Sequence, residues 1–432
     1  MLLRWQGVTV ATLFTGYAGY YICRSNLSVA TPLILEEFAD AGITKSDMGF
    51  VASMGVLLYA VGKITNGVTA DYLGGRRMFL FGMFASVLCT VLFGVAGGVA
   101  TFAVIWAANR YVQSMGWVAL VKTSARWFPY YRQASVMGVL SMSYLVGDVF
   151  ARGYLGTFIE FGFGWRIIFV IAAATLAIIA ITSLFTLKSS PQDVGADEPA
   201  TNPGNVFGGD GESTRPESIR TLLTPLLQSR TFWVICALNF GLTLIRETFN
   251  FWTPTFLDEA VGLTKGQSAI GSAVFPLVGA ASVLSAGFVS DLFGGQHRRV
   301  AVPCLVILVG ALALLCVLPV ENRPILALVL ISLVSFFLLA PYSYLSGVMA
   351  IDLGGKKGSS TAAGLIDSAG YFGAVISGMG IGFIAEEYGW RPAFGFLAGI
   401  AAVTAVVAIA YWKQAGYTDH KPLATDSEEP TV

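Results

Sequence analysis

Apolar stretches of about twenty residues recur along the chain, and that recurrence restricts the fold more than any other feature. They predict an all-α membrane protein with twelve transmembrane helices near 8–36, 46–72, 77–97, 100–127, 131–158, 164–187, 229–258, 265–293, 299–319, 324–352, 358–386 and 390–412. Several exceed the length a bilayer needs, which permits tilt. Composition agrees: 12% of the residues are charged, against about 25% in soluble domains. The formal net charge is zero, so nothing points to a nucleic-acid partner. Cys23, Cys89, Cys236, Cys304 and Cys316 all fall in apolar spans without a CxxC pair and read as small core residues. No metal or cofactor is expected. MLLRWQG runs into the first span without a small-residue cleavage site, so that span is expected to be retained.

Inside the first span sits Arg24, and insertion scales set roughly 2.5–3.5 kcal/mol against an arginine at a helix centre. Tyr17, Tyr21, Arg24 and Ser28 share one helical stripe, which reads as the wall of a polar pathway. The device then repeats. Arg24, Thr31-Pro32 and Leu35-Glu36-Glu37 are matched at one constant offset by Arg246, Thr253-Pro254 and Leu257-Asp258-Glu259, with Asn239, Thr243 and Asn250 in the same phases. Gly67-x-x-x-Asp71 with Arg76-Arg77 is echoed by Gly287-x-x-x-Asp291 with Arg298-Arg299, and Gly164-Trp165-Arg166 by Gly389-Trp390-Arg391. Two related halves are therefore expected: 1–187 and 229–412, joined by 188–228 and followed by a polar tail, 413–432.

Lys188–Arg230 is rich in Pro, Gly, Asp, Glu and Ser and is expected to be partly disordered, with a short surface helix over 220–228. Lys and Arg gather in the loops on the side of the termini, among them Arg4, Arg76, Arg77, Arg298, Lys356 and Lys413. The opposite loops hold Lys45, Arg166, Lys265, Arg323 and Arg391. Both termini and the linker are thus predicted to be cytoplasmic. Arg24, Lys63, Arg110, Lys122, Arg152 and Arg246 remain inside spans. A duplicated six-plus-six bundle with a long central loop resembles the major facilitator transporters, whose substrate site lies near mid-membrane between the halves.

GYAGYYICRSN (16–26), YAVGK (59–63), the GxxxD-x-x-GGRR turn (67–77), MGW (115–117), WTPTFL (252–257), KKGSSTAAG (356–364) and GYFG (370–373) resemble organophosphate:inorganic phosphate antiporters. That group includes glycerol-3-phosphate, hexose-phosphate and glucose-6-phosphate transporters. The resemblance implies that Arg24 and Arg246 clamp phosphate from opposite halves, that Tyr17, Tyr21, Tyr59, Lys63 and Tyr371 line the site, and that Asp71, Arg76 and Arg77 brace the turn between helices two and three. Asp291 and Arg298 are the matching gate residues of the second half. Tyr144 stands where the glycerol-3-phosphate carrier has a histidine, and Asp148, Glu247 and Asp367 stand where neutral residues are expected.

Blander readings compete. The two arginines could each pair with a carboxylate, Glu247 and Asp148 being candidates; Lys63 could snorkel; Asp148 and Arg152 could form a local pair. Lys122 and Arg126 are expected to be solvated or to contact headgroups, and Arg110 to sit in an ion pair. Glu247 and Asp367, with Asn250, could hold the organic part of a substrate or a coupling proton. For phosphate, the guanidinium fork provides bidentate charge-assisted bonds. The expected function is exchange of an organic phosphate for inorganic phosphate by alternating access, by a monomer in a bacterial inner membrane or, in a eukaryote, the endoplasmic reticulum. Alternatives are a proton-coupled symporter of another organic anion and a sugar-phosphate sensor. No catalytic constellation is visible, so an enzyme is not expected.

Overall fold

The computed structural model describes residues 2–43, 45–209, 216–263, 271–293 and 297–415. Regular structure among them is helical. The first half comprises α1 (Leu2–Glu37), α2 (Lys45–Leu73), α3 (Gly75–Gly94), α4 (Val99–Gln113), α5 (Met115–Trp127), α6 (Gln133–Glu160) and α7 (Trp165–Thr186). A short α8 (Ile219–Gln228) precedes the second half: α9 (Arg230–Glu259), α10 (Val274–Leu292), α11 (Arg298–Val317), α12 (Pro324–Leu345), α13 (Val348–Tyr388) and α14 (Trp390–Ala415). In hydrocarbon each backbone polar group must be satisfied within its own span, and helices do this.

The predicted spans map onto these helices with two instructive differences. The fourth span is broken at Ser114, where the hydroxyl donates to Tyr111 O (2.7 Å) and Asn66 Nδ2 inserts onto both groups. Local side-chain bonds of this kind compete with the helical ladder. The expected boundary between spans ten and eleven also moves: α12 stops at Leu345, and α13 kinks at Gly355, whose φ of 56° favours glycine. Among the described residues, eight stretches are long and apolar enough to cross a membrane on length and composition alone, one of them running from α12 into α13 as far as Ser377. α1, which contains Arg24, and the two-piece α4–α5 lie outside that set.

Within the first half α1 lies on α6 and α7, and α2 on α4; within the second, α9 lies on α13 and α14, and α10 on α12. The halves meet along α2 with α13 and α6 with α10. Lipid tails are as apolar as leucine, so close van der Waals contact must hold these seams. A Cβ on Gly364 of α13 would overlap the Lys63 carbonyl of α2, and one on Gly287 of α10 would sit 2.7 Å from Ala134 O of α6. The far ends repeat a corner in each half. Trp165 Nε1 donates to Glu37 (2.6 Å), and Trp390 Nε1 donates to Glu259 (3.0 Å). The duplicated Glu and Gly-Trp-Arg motifs thus meet each other in both halves.

The connection between the halves differs from expectation. Residues 187–208 lie against the bundle: Val206 N–H donates to Leu353 O (2.9 Å), Asn202 to Asp352 (3.1 Å), and Glu198 pairs with both Arg126 and Lys356. Composition counts polar residues but does not see which of them have partners. The surface helix expected over 220–228 is α8, started by Ser218 in a capping box.

Candidate functional site

The site is built where α1, α2 and α4 of one half face α9, α12 and α13 of the other. Arg24 on α1 donates from Nη1 to the Tyr21 hydroxyl (2.8 Å) and from Nε to Gln113 Oε1 (3.3 Å). Its guanidinium lies 4.5 Å from the ring centroids of both Tyr21 and Tyr59, a cation–π arrangement that is strong when desolvated. Nη2 is buried without a hydrogen-bond acceptor, and no carboxylate pairs with Arg24 among the described residues. Arg246 on α9 is different. It pairs with its neighbour Glu247, Nε to Oε1 at 2.9 Å, and donates from Nη1 to the Tyr342 hydroxyl (2.6 Å) while lying 4.6 Å from that ring. Glu247 is one of the two candidate carboxylates; successive side chains leave a helix about 100° apart, and a long side chain folds back across that angle.

Beside them lies a small cavity lined by Tyr17, Tyr21, Tyr59, Lys63, Tyr144, Arg246, Tyr342, Asp367 and Tyr371; Arg246 reaches it directly and Arg24 lies behind the Tyr21 and Tyr59 rings. Tyr59 meets Tyr371 edge-on at 5.1 Å across the two halves, Tyr17 packs on Tyr21 at 5.7 Å, and Tyr21 on Tyr144 at 6.1 Å. Asn250 is exposed and donates to Glu247 (3.4 Å). The structure therefore brings the expected side chains to one place.

It also pairs some of them unexpectedly. Lys63 Nζ meets Asp367 Oδ2 at 2.7 Å, both almost fully buried. Lys63 is thus an inter-half ion pair here, neither a loose cavity cation nor a snorkelling one. Asp148 accepts from Ser25; the side chain of Arg152, its expected partner, lies outside those described. Lys122, expected to be solvated, is buried 2.8 Å from Asp71 Oδ1. A carboxylate opposite an α5 lysine explains this, and the separate motifs gave no sign of it.

Asp71 does more than close a turn. Its Oδ2 accepts from Thr361 N (2.8 Å) and Thr361 Oγ1 (2.7 Å), so α2 holds α13 at the linker end of the bundle. Ser360 Oγ adds a bond to Val118 O, and Trp117 Nε1 one to Ser346 O (3.1 Å). Arg76 donates from Nε to Leu187 O (2.6 Å) and from Nη2 to Leu184 O (2.8 Å), which ties the turn to the end of α7. Arg77 is exposed. The side chains of Asp291 and Arg298 lie outside those described. These contacts join the two halves at the linker end of the bundle.

Two residues, Tyr342 and Gln113, escaped the sequence reading. Tyr342 is one neutral aromatic in an apolar run and carries no signal. Gln113 accepts from Arg24 and also from Arg110 Nη1 (3.2 Å), and Arg110 lies 4.5 Å from the Tyr59 ring. The ion pair expected for Arg110 is replaced by this amide. The i, i+3 spacing of Arg110 and Gln113 was the available clue.

The family model described as "Major Facilitator Superfamily" matches residues 13–378 and 259–431. The glycerol-3-phosphate transporter of Bacillus subtilis (strain 168) is 25% identical, covering 94% of this chain and 92% of the relative. A probable hexose phosphate transport protein of Chlamydia pneumoniae is 24% identical, covering 94% and 91%. Among solved structures, the proton:xylose symporter XylE has a TM-score of 0.74 at 11% identity, over 96% of each chain, which speaks to the fold alone. These relatives agree with the group resemblance carried by the sequence motifs. A family model that matches most of the length and an all-helical fold shared with solved transporters have one meaning: the chain is a multi-pass membrane transporter, not an enzyme, and belongs to the major facilitator superfamily.

Proposed function

We propose that the protein exchanges an organic phosphate ester for inorganic phosphate by alternating access, acting as a monomer with both termini and the linker cytoplasmic. The observation that supports this reading is a tyrosine-rimmed cavity that Arg246 of one half lines directly, with Arg24 of the other half stacked on the Tyr21 and Tyr59 rings of its wall. A phosphomonoester carries close to two negative charges at pH 7, and guanidinium forks match its oxygens. Tyr21, Tyr59, Tyr144, Tyr342 and Tyr371 supply hydroxyls and faces for the rest of the ester. The relatives named for glycerol-3-phosphate and hexose phosphate transport support the substrate class.

The domain division at 187 and 229 serves the cycle. Asp71, Lys122, Thr361 and the Lys63–Asp367 pair hold the linker side shut, so this is the state that receives substrate from the far side. Closing the empty cavity forces like charges together in a low dielectric; an anion removes that cost, so loaded carriers cross more readily than empty ones. The duplicated gate residues Asp291 and Arg298 would brace the second half as Asp71 and Arg76 brace the first.

The test is uptake of labelled glycerol-3-phosphate and glucose 6-phosphate into proteoliposomes. Exchange predicts uptake that needs internal phosphate and ignores a pH gradient. Uptake driven by a pH gradient without internal phosphate would contradict it and favour proton coupling through Glu247 or Asp367. Binding without any transport would favour a sensor.

A further inference from the structure

Lys63, Asp367 and Arg246 line the cavity, whereas Arg24 and Arg110 lie against Tyr59 in its wall, and the charges of the two sets are not answered alike. Arg246 is answered by Glu247, and Lys63 by Asp367. Arg24 and Arg110 are answered by nothing anionic among the described residues. Arg110 is 8% exposed, so solvent does little to screen it. Both guanidiniums lie 4.5 Å from the Tyr59 ring, and both donate to the single oxygen Gln113 Oε1, at 3.3 and 3.2 Å. The two donor nitrogens are therefore no further apart than those two bonds allow. Gln113 is held in turn by Nε2, which donates to Cys23 O (3.0 Å) and Ser86 Oγ (3.1 Å), so its oxygen is fixed between the cations. A neutral amide oxygen is a weak acceptor for two charges, and Arg24 Nη2 has no acceptor at all.

From this geometry we propose that Arg24 and Arg110 form a dication seat in the first half that takes the substrate's phosphoryl group as the dianion and discriminates against singly charged tetrahedral groups. This rests on the organophosphate reading and sharpens it. Two uncompensated cations bound by one rigid amide are best neutralised by a group with two charges and several acceptor oxygens. A sulfate monoester has the same shape and one charge, so it leaves one guanidinium unanswered. Arg246, already held by Glu247 and Tyr342, is left to meet the ester from the opposite half.

The experiment is calorimetric titration of the purified full-length protein at pH 7.5 with glucose 6-phosphate, glucose 6-sulfate, glycerol-3-phosphate and glycerol 3-sulfate. Wild type is expected to bind a phosphate ester at least ten-fold more tightly than its sulfate counterpart. Arg110→Gln is expected to weaken phosphate-ester binding by roughly ten- to hundred-fold, the size of a lost hydrogen bond to a charged group. Sulfate-ester binding should change much less, and Arg110→Lys should retain most of the discrimination. Equal losses for both esters in Arg110→Gln, or no loss for either, overturns the proposal while leaving the transporter reading intact. So does a wild type that binds sulfate and phosphate esters alike, a result independent of whether the variant folds. A wild type that binds neither kind of ester removes the organophosphate reading itself.

Discussion

Lys63 of α2 and Asp367 of α13 form an ion pair of 2.7 Å that joins the two halves beside the central cavity, with side chains 2% and 8% exposed. The neighbouring Ser368 hydroxyl donates to Ala60 O (2.9 Å) along the same seam. Removing one member of such a pair strands a buried charge, at roughly 3–5 kcal/mol, whereas replacing both with apolar groups is often neutral. Thermal melts in detergent should show Lys63→Met and Asp367→Leu each well below wild type and the double variant largely restored. Additive losses would mean that the two charges do not depend on each other.

Asp71 joins α2 to Lys122 of α5 and Thr361 of α13, and under the proposed cycle these contacts hold the linker side shut. Asp71→Asn keeps the shape but removes the charge that Lys122 requires, so the linker side should open more often. Spin labels at the exposed Leu73 and Leu292, on the linker ends of the two halves, should report a population at longer distance in the variant. An unchanged distance distribution would argue that the carboxylate is not the lock.

Gly364 lets α13 touch the α2 backbone at Lys63. Gly364→Val cannot close that gap without moving a helix, so the same label pair should read long distances and exchange should fall by an order of magnitude or more. Overpacking of a tight seam typically costs about 1–3 kcal/mol, enough to shift an equilibrium between two conformers. Wild-type exchange in this variant would show that the seam has slack.

Glu247 pairs with Arg246, so under the proposed function it would compete with a phosphate group for that guanidinium. Glu247→Gln should tighten phosphate-ester binding by about ten-fold and slow release, since charge pairs of this kind carry about 1.5 kcal/mol or more. Titration calorimetry and stopped-flow release check both. Weaker binding would mean that Glu247 orients Arg246 instead of restraining it.

The sequence carried the architecture because the signals for it are repeated and additive: apolar windows and the matched stretches around Arg24 and Arg246. The central residues were also readable, since helical phase places Tyr17, Tyr21 and Arg24 on one stripe. Partner choice was not. Lys63 and Asp367 are 304 positions apart, and periodicity says which face a side chain takes, never which helix will meet it. Lys122 looked like a headgroup contact because its hydropathy is the same whether or not an aspartate waits opposite. Tyr342 and Gln113, both uncharged, left no mark on the hydropathy pattern, yet each accepts a hydrogen bond from one of the key arginines.

The phosphate clamp is tested most directly by exchange of labelled phosphate in phosphate-loaded proteoliposomes carrying Arg24→Lys or Arg246→Lys. Lysine keeps the charge and loses the planar fork, so each variant is predicted to lose most of its exchange rate while still reaching the membrane and melting as a folded protein. Wild-type rates in both variants would contradict a guanidinium clamp at this cavity.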